Sequence, residues 1–233
     1  MLNKNDIKVI AFDADDTLWI NETYFREKEE LFTEVMSTYL SSPDQIMEEL
    51  FKTEMQNLSN FGYGAKGFTL SMIETAIKVS SSKITPDDIL KIIDLGKSLL
   101  TIPIDLLDDV VKVLSSLQNK YKLVVATKGD LLDQERKLVK SGLTKYFHHI
   151  EIMSEKKDEN YQKLLNRLEI SPKEFLMIGN SLKSDILPVV NIGGDAIHIP
   201  FHTTWVHESI NEESIKHLNY LKVNKIIDVL KYL

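Results

Sequence analysis

Short apolar runs rich in β-branched residues recur along the chain, at 8–12 (KVIAF), 122–127 (KLVVAT), 149–153 (HIEIM), 175–179 (FLMIG) and 196–200 (AIHIP). Each has the length of a strand and is continuous enough to be buried on both faces, which is how parallel strands read. Helical spacing fills most of the intervals. Val110, Val111, Leu114 and Leu117 form one apolar stripe, and Tyr161, Leu164, Leu165 and Leu168 form another. Strand alternating with helix predicts an α/β fold, a doubly wound parallel sheet with helices on both faces. Such sheets place their sites at the carboxyl ends of strands. Asp13, Thr127 and Asn180 all fall there.

Between Trp19 and about Ile104 the pattern is helical only. Leu31, Phe32, Val35, Met36 and Tyr39 recur at helical spacing, and Ser42-Pro43 and Thr85-Pro86 each read as an N-cap followed by proline at the first helical position. The expected organisation is a core from 1–19 and 104–233, with a smaller all-helical domain at 20–103 inserted after the first strand. There is no internal repeat, and only the brief SSSK at 80–83 is low in complexity.

Composition narrows the class. The 233 residues are 43% hydrophobic and 27% charged, enough apolar mass for a core of ordinary globular kind. A net charge of −7 argues against nucleic acid or a membrane surface as partner, since both call for a basic face. It does not exclude a phosphorylated substrate, because a metal or local lysines can reverse the field at a site. There is no cysteine, which removes thiol and disulfide chemistry and fits a reducing compartment. The apolar run near the N-terminus is interrupted too early by Asp13 for a signal peptide, and no apolar run reaches membrane-spanning length. The expectation is a soluble, cytoplasmic protein; oligomeric state is not legible.

The chemistry concentrates at the first strand's end, where DADDT places Asp13, Asp15 and Asp16 together. Clustered carboxylates repel, and removing each from water is costly unless it is paired. Aspartates also favour turns and helix N-caps, so a wet turn is one reading. The other is a site: Asp13 and Asp15 lie two apart, so one loop can aim both at a common point, one as nucleophile and one as proton donor. Three further features sit at successive strand ends. Thr127 can bind an anion through its hydroxyl and the N–H groups of Lys128 and Gly129 that follow. SEKKDENY offers Lys156 or Lys157 at a helix start. IGNSLKSD offers Asn180 and Asp185.

In these four motifs, from Lys8 to about Pro200, the chain resembles the haloacid dehalogenase superfamily of hydrolases, with a helical cap inserted directly after the first motif. The resemblance implies a magnesium-dependent phosphatase acting on a small phosphorylated metabolite through an aspartyl-phosphate. By that match Asp13 is the nucleophile and a metal ligand, and Asp15 is the general acid and base that lends its backbone carbonyl to the metal. Thr127 binds the phosphate, with Lys128 and Gly129 beside it, and a lysine neutralises it. The family's lysine stands a turn and a half before an aromatic of the next helix; counting back from Tyr161 favours Lys156 over Lys157. Asn180 and Asp185 complete the metal set. Here the sequence departs from the pattern, because the fourth motif normally begins Gly-Asp and this one reads Gly179-Asn180. An amide oxygen can still bind magnesium, with one less negative charge. A haloacid dehalogenase acting through Asp13 without metal, and a non-catalytic binding protein on the same fold, are the alternatives. Asp15 argues against the first, and intact Asp13 and Asp15 against the second.

Other features are set aside. FGYGAKGF (61–68) lacks a preceding strand and P-loop spacing. It is read as a flexible loop of the cap that faces the active site, with Lys66 within reach of substrate. His148-His149 are packing residues at a strand start, and His202 and His207 lack the spacing of a zinc pair. The KKDEN charges are a solvated helix start, and Asp16 is a turn cap.

Overall fold

The computed structural model describes residues 4–210, 215 and 218–233. Among the described residues six strands form one parallel sheet: β1 (Val9–Phe12), β2 (Lys122–Lys128), β3 (His149–Met153), β4 (Phe175–Gly179), β5 (Asp195–His198) and β6 (Leu221–Lys222). Their order across the sheet is β3-β2-β1-β4-β5-β6. The chain therefore builds outward from β1 in one direction, returns, and builds outward in the other. The order reverses between β1 and β4, and such a switch point opens a crevice at the strands' carboxyl ends. Asp13 is the first residue beyond β1, and its N–H donates to the Ile178 carbonyl of β4 at 2.9 Å.

Both faces of β1 are buried, and the pleat divides its residues between two cores. Ile10 and Phe12 pack with Val113, Leu114 and Leu117 of α5 (Val110–Leu117). Val9 and Ala11 pack with Tyr161, Leu164 and Leu165 of α7 (Asp158–Leu168). The stripe expected on α5 is shifted: Val111 is exposed, and Val113 takes the place in the core. A helix of two turns has too few apolar positions to fix its phase from the sequence. β3 lies at the sheet edge and is only partly buried, which is why it tolerates His149 and Glu151. The short β6 carries too little pattern for the sequence to signal it.

The chain separates into two compact units. One takes in the residues up to Glu22, then Ile104–Lys128 and the chain from Gln134 onward; the other comprises Thr23–Pro103 with Gly129–Asp133. The second unit is helical, built from α1 (Glu22–Met36), α2 (Pro43–Phe61), α3 (Ala65–Val79) and α4 (Pro86–Leu99). Phe32, Met36, Ile46, Leu50, Met72 and Ile92 are fully buried in its core. Ser42 and Thr85 are N-caps, each hydroxyl accepting from the backbone three residues on, and Pro43 and Pro86 open their helices. The segment 61–68 is not a long loop. Phe61 closes α2, a turn at Gly62-Tyr63-Gly64 follows, and Ala65 opens α3. Lys66 pairs with Asp130 at 2.9 Å within the same unit. Among the described residues, no helix is long and apolar enough to cross a membrane.

Candidate active site

Three charges meet at the switch point. The Lys156 ammonium contacts Asp13 Oδ1 directly and donates to Asp185 Oδ1 at 2.6 Å. All three residues are buried, Lys156 at 4% and Asp185 at 1% exposure. Lys157 is exposed and serves as the N-cap position of α7, so the geometry selects Lys156. Burial works against the charge of Lys156, but Asp13 and Asp185 hold its pKa well above the ordinary lysine value. Burial, opposed by Lys156 and reinforced by Asp185, pushes the Asp13 carboxyl up to about 7. One ammonium thus sits between two carboxyl groups in a site withdrawn from water.

Asp185 reaches this position through the local backbone. β4 ends at Gly179, and the chain passes through Ser181 into a single π-helical turn, Leu182–Ile186. The Ser181 carbonyl accepts from Asp185 N at 2.9 Å and from Ile186 N at 3.3 Å. The Ser181 N–H in turn donates to Asp185 Oδ2 at 2.9 Å. The carboxylate folds back onto Gly179, where a Cβ would lie 2.2 Å from Asp185 Oδ2. Only glycine leaves that space.

Thr17, one turn beyond Asp13, links the first and fourth motifs. Its Oγ1 lies 3.2 Å from both Asp13 Oδ2 and Asn180 Oδ1. One hydroxyl proton serves one acceptor at a time, so Thr17 alternates between a carboxylate oxygen of the first motif and an amide oxygen of the fourth. The buried His198 at the end of β5 donates from Nε2 to the Asn180 carbonyl at 2.9 Å and fixes that backbone.

Asp15 is half-buried and fully engaged. Its Oδ1 accepts from Trp19 Nε1 at 2.7 Å and from Lys137 at 3.0 Å, and its Oδ2 accepts from Gln134 Nε2 at 2.7 Å. Gln134 and Lys137 lie on α6 (Leu131–Ser141), three apart and on one face. Asp16 adopts φ 60° and accepts from the Asn21 and Glu22 N–H groups that open α1, the expected turn cap.

Thr127 is buried near the end of β2, and Gly129, at φ 143°, turns the chain out of that strand in a conformation open to glycine. Lys128 does not extend into open space. Its ammonium donates to Ser184 Oγ at 2.9 Å and to Glu208 Oε1 at 2.5 Å. Glu208, next to His207, carries no signal in the sequence, and neither do Thr17, Gln134 and Lys137. Polar residues on a helix face or in a loop give no signal of where the fold carries them. His207 contacts Lys183, and His148 Nδ1 accepts from the Leu123 N–H, so both serve packing and loop structure.

Among the described residues no three Asp, Glu, His or Cys side chains gather as a ready metal site. The oxygens on hand are those of the Asp13 carboxylate and the Asn180 amide, both within 3.2 Å of Thr17 Oγ1. Magnesium suits such a set, because it prefers oxygen donors, keeps several waters and takes only one or two carboxylates. Asp185 has one oxygen on Lys156 and the other on Ser181, and so supports the lysine.

A family model of haloacid dehalogenase-like hydrolases matches residues 7–193. A haloacid dehalogenase-like hydrolase from Xanthomonas campestris has a similar crystal structure, with a TM-score of 0.81 and 40% identity, over 86% of this chain and 84% of that one. The 2-haloacid dehalogenase of Pseudomonas syringae shares the fold at a TM-score of 0.61, 15% identity and 97% of both chains. The N-acylneuraminate-9-phosphatase of Mus musculus is 29% identical over 109 residues, which is 45% of this chain and 42% of the relative's. The match thus spans less than half the length of that curated relative. With its four motifs gathered at the switch point and the family match running over most of its length, the chain belongs to the haloacid dehalogenase-like hydrolases.

Proposed function

We propose that the chain is a magnesium-dependent phosphatase that hydrolyses a small phosphorylated metabolite through an aspartyl-phosphate on Asp13. One observation carries the reading: Asp13 has one oxygen on a buried lysine and the other on Thr17, whose hydroxyl also reaches Asn180, with a second aspartate two residues on. The phosphatase relatives and the presence of Asp15 favour this reading over dehalogenation.

In this scheme Asp13 attacks phosphorus, and covalent capture divides one difficult hydrolysis into two easier steps. Asp13, Asn180 and the Asp15 carbonyl would hold the metal, which when bound neutralises the repulsion between carboxylate and phosphate and stabilises the transferring charge. Lys156 stays an ammonium because its two carboxylate partners hold it charged, and it offsets the arriving phosphate. The Thr127 hydroxyl and the N–H groups of Lys128 and Gly129 bind phosphate oxygens. Asp15 protonates the departing alkoxide and then takes a proton from the attacking water. Its resting partners Trp19, Gln134 and Lys137 must loosen for that exchange. The helical unit acts as the cap and selects the substrate, and a chain without cysteine suits the cytoplasm.

Hydrolysis of p-nitrophenyl phosphate with and without EDTA tests the reading, alongside halide release from 2-chloropropionate. Phosphate release that EDTA abolishes, and that Asp13→Asn removes while the circular dichroism spectrum is kept, is the expected result. Halide release without metal would establish the dehalogenase instead.

A further inference from the structure

Glu208 stands outside all four motifs, in the short helical turn Val206–Glu208 that follows β5. Its carboxylate is half-enclosed against the fourth-motif turn. Oε2 accepts from Ser181 Oγ at 2.6 Å and from Ser184 Oγ at 2.5 Å, while Oε1 accepts from Lys128. Lys128 also donates to Ser184. Glu208 therefore ties the residue that follows Thr127 to Ser181, which caps the π-helical turn, and to Ser184 within it. That turn carries Asp185, and Asp185 holds Lys156 against Asp13. Tyr161 adds a second tie, donating to the Ser184 carbonyl at 3.0 Å.

We infer that Glu208 is a positioning residue for this reaction: it fixes the fourth-motif turn and cancels the charge of Lys128, leaving Lys156 as the cation that meets the phosphate. The inference rests on the phosphatase reading above. Its physical content is a balance. An uncompensated ammonium beside the anion site attracts phosphate and retains it as product, because Coulomb interactions in a partly dry site are poorly screened. Serine hydroxyls without their acceptor release the turn that aligns Asp185.

The test uses three variants of the full chain, measured for kcat and KM on p-nitrophenyl phosphate, for the inhibition constant of inorganic phosphate, and for thermal midpoint. Glu208→Gln keeps the shape and is expected to tighten phosphate inhibition about fivefold while kcat falls about tenfold. Lys128→Met leaves the carboxylate uncompensated and is expected to weaken phosphate inhibition. The double variant removes both charges and is expected to return the inhibition constant to the parent value with kcat still low. A purely structural role would lower the thermal midpoint and the active fraction with KM and the inhibition constant unchanged, and that result overturns the proposal. If Glu208→Gln does not fold, an unchanged inhibition constant in Lys128→Met overturns it equally. Calorimetric titration of the parent protein with inorganic phosphate separates the two levels. Absence of both phosphate binding and ester hydrolysis refutes the phosphatase reading itself, whereas normal binding and turnover with insensitive variants refute only the role of Glu208.

Discussion

Lys156 and Asp185 form an ion pair at 2.6 Å that is almost wholly withdrawn from solvent, and it exists in this form because residue 179 has no side chain. Buried ion pairs contribute little net stability compared with a well-packed apolar pair, but breaking one by removing a single partner is costly. The pair is therefore better understood as a device for holding an ammonium against Asp13 than as a source of stability.

The first prediction follows from Gly179. An added methyl group would meet Asp185 Oδ2 at 2.2 Å. Gly179→Ala must displace the carboxylate or the π-helical turn, and an overpacked site costs about 1–3 kcal/mol. Turnover is expected to fall at least as steeply as stability, because Lys156 loses its orienting partner. Unchanged kcat in a folded Gly179→Ala would show that Asp185 does not orient the lysine.

The adjacent lysines provide a second. Lys156→Met leaves Asp13 and Asp185 facing each other uncompensated, a loss of about 3–5 kcal/mol. Lys157→Met alters an exposed side chain and is expected to stay within about 0.5 kcal/mol of the parent. Urea unfolding of the two variants checks the contrast, and equal effects would count against the assignment of Lys156.

The contrast between those lysines also shows how far the sequence could be read. Continuous apolar strands and their order of chemistry placed Asp13, Thr127 and Asn180 at strand ends, because a parallel sheet leaves few other places for such runs. The family resemblance, counted back from Tyr161, pointed to Lys156. What spacing could not supply was the support. Thr17, Gln134, Lys137 and Glu208 reach the site from a turn, a helix face and a distant loop, and their local sequence resembles that of any solvated surface. The same limit applies to Val113, since a helix of eight residues shows its buried face only once it is packed.

Acid stability gives a third prediction. Burial alone would raise the pKa of Glu208, but the Lys128 ammonium and the Ser181 and Ser184 hydroxyls overcome it and hold the group at about 2. The folded value lies below the ordinary carboxylate value of 4.5, so folding favours the ionised form. The contribution is present above about pH 4.5 and is lost as pH falls toward 2. Thermal midpoints measured across that window are expected to drop more steeply for the parent than for Glu208→Gln. Parallel slopes would mean that Glu208 is not paired in solution as it is here.

Asp15 supplies a fourth. Its three partners keep both oxygens occupied at rest, yet the proposed acid role requires a proton on one of them. Asp15→Asn is expected to slow esters with poor leaving groups more than p-nitrophenyl phosphate, whose leaving oxygen needs little protonation. Equal losses on an alkyl phosphate and the aryl ester would remove Asp15 from that role.

The last prediction concerns Asn180, where the family pattern has an aspartate. Thr17 Oγ1 lies 3.2 Å from both Asn180 Oδ1 and Asp13 Oδ2, so one hydroxyl links the amide oxygen to the carboxylate. Replacing that amide by a carboxylate adds charge without changing shape. In a partly dry site each carboxylate acts strongly on a cation, because the effective dielectric is well below that of water. Asn180→Asp is expected to lower the magnesium concentration for half-maximal activity about tenfold, equivalent to about 1.4 kcal/mol. Turnover need not rise with it. The same added charge repels the phosphate, and it pushes the Asp13 carboxyl further from ionisation until the metal binds. Calorimetric magnesium titration of the two proteins separates affinity from turnover. If the substitution leaves magnesium affinity unchanged, residue 180 is not a ligand. The Thr17 hydroxyl would then serve only to join two loops, and the metal would have to be held through Asp13 and main-chain oxygens.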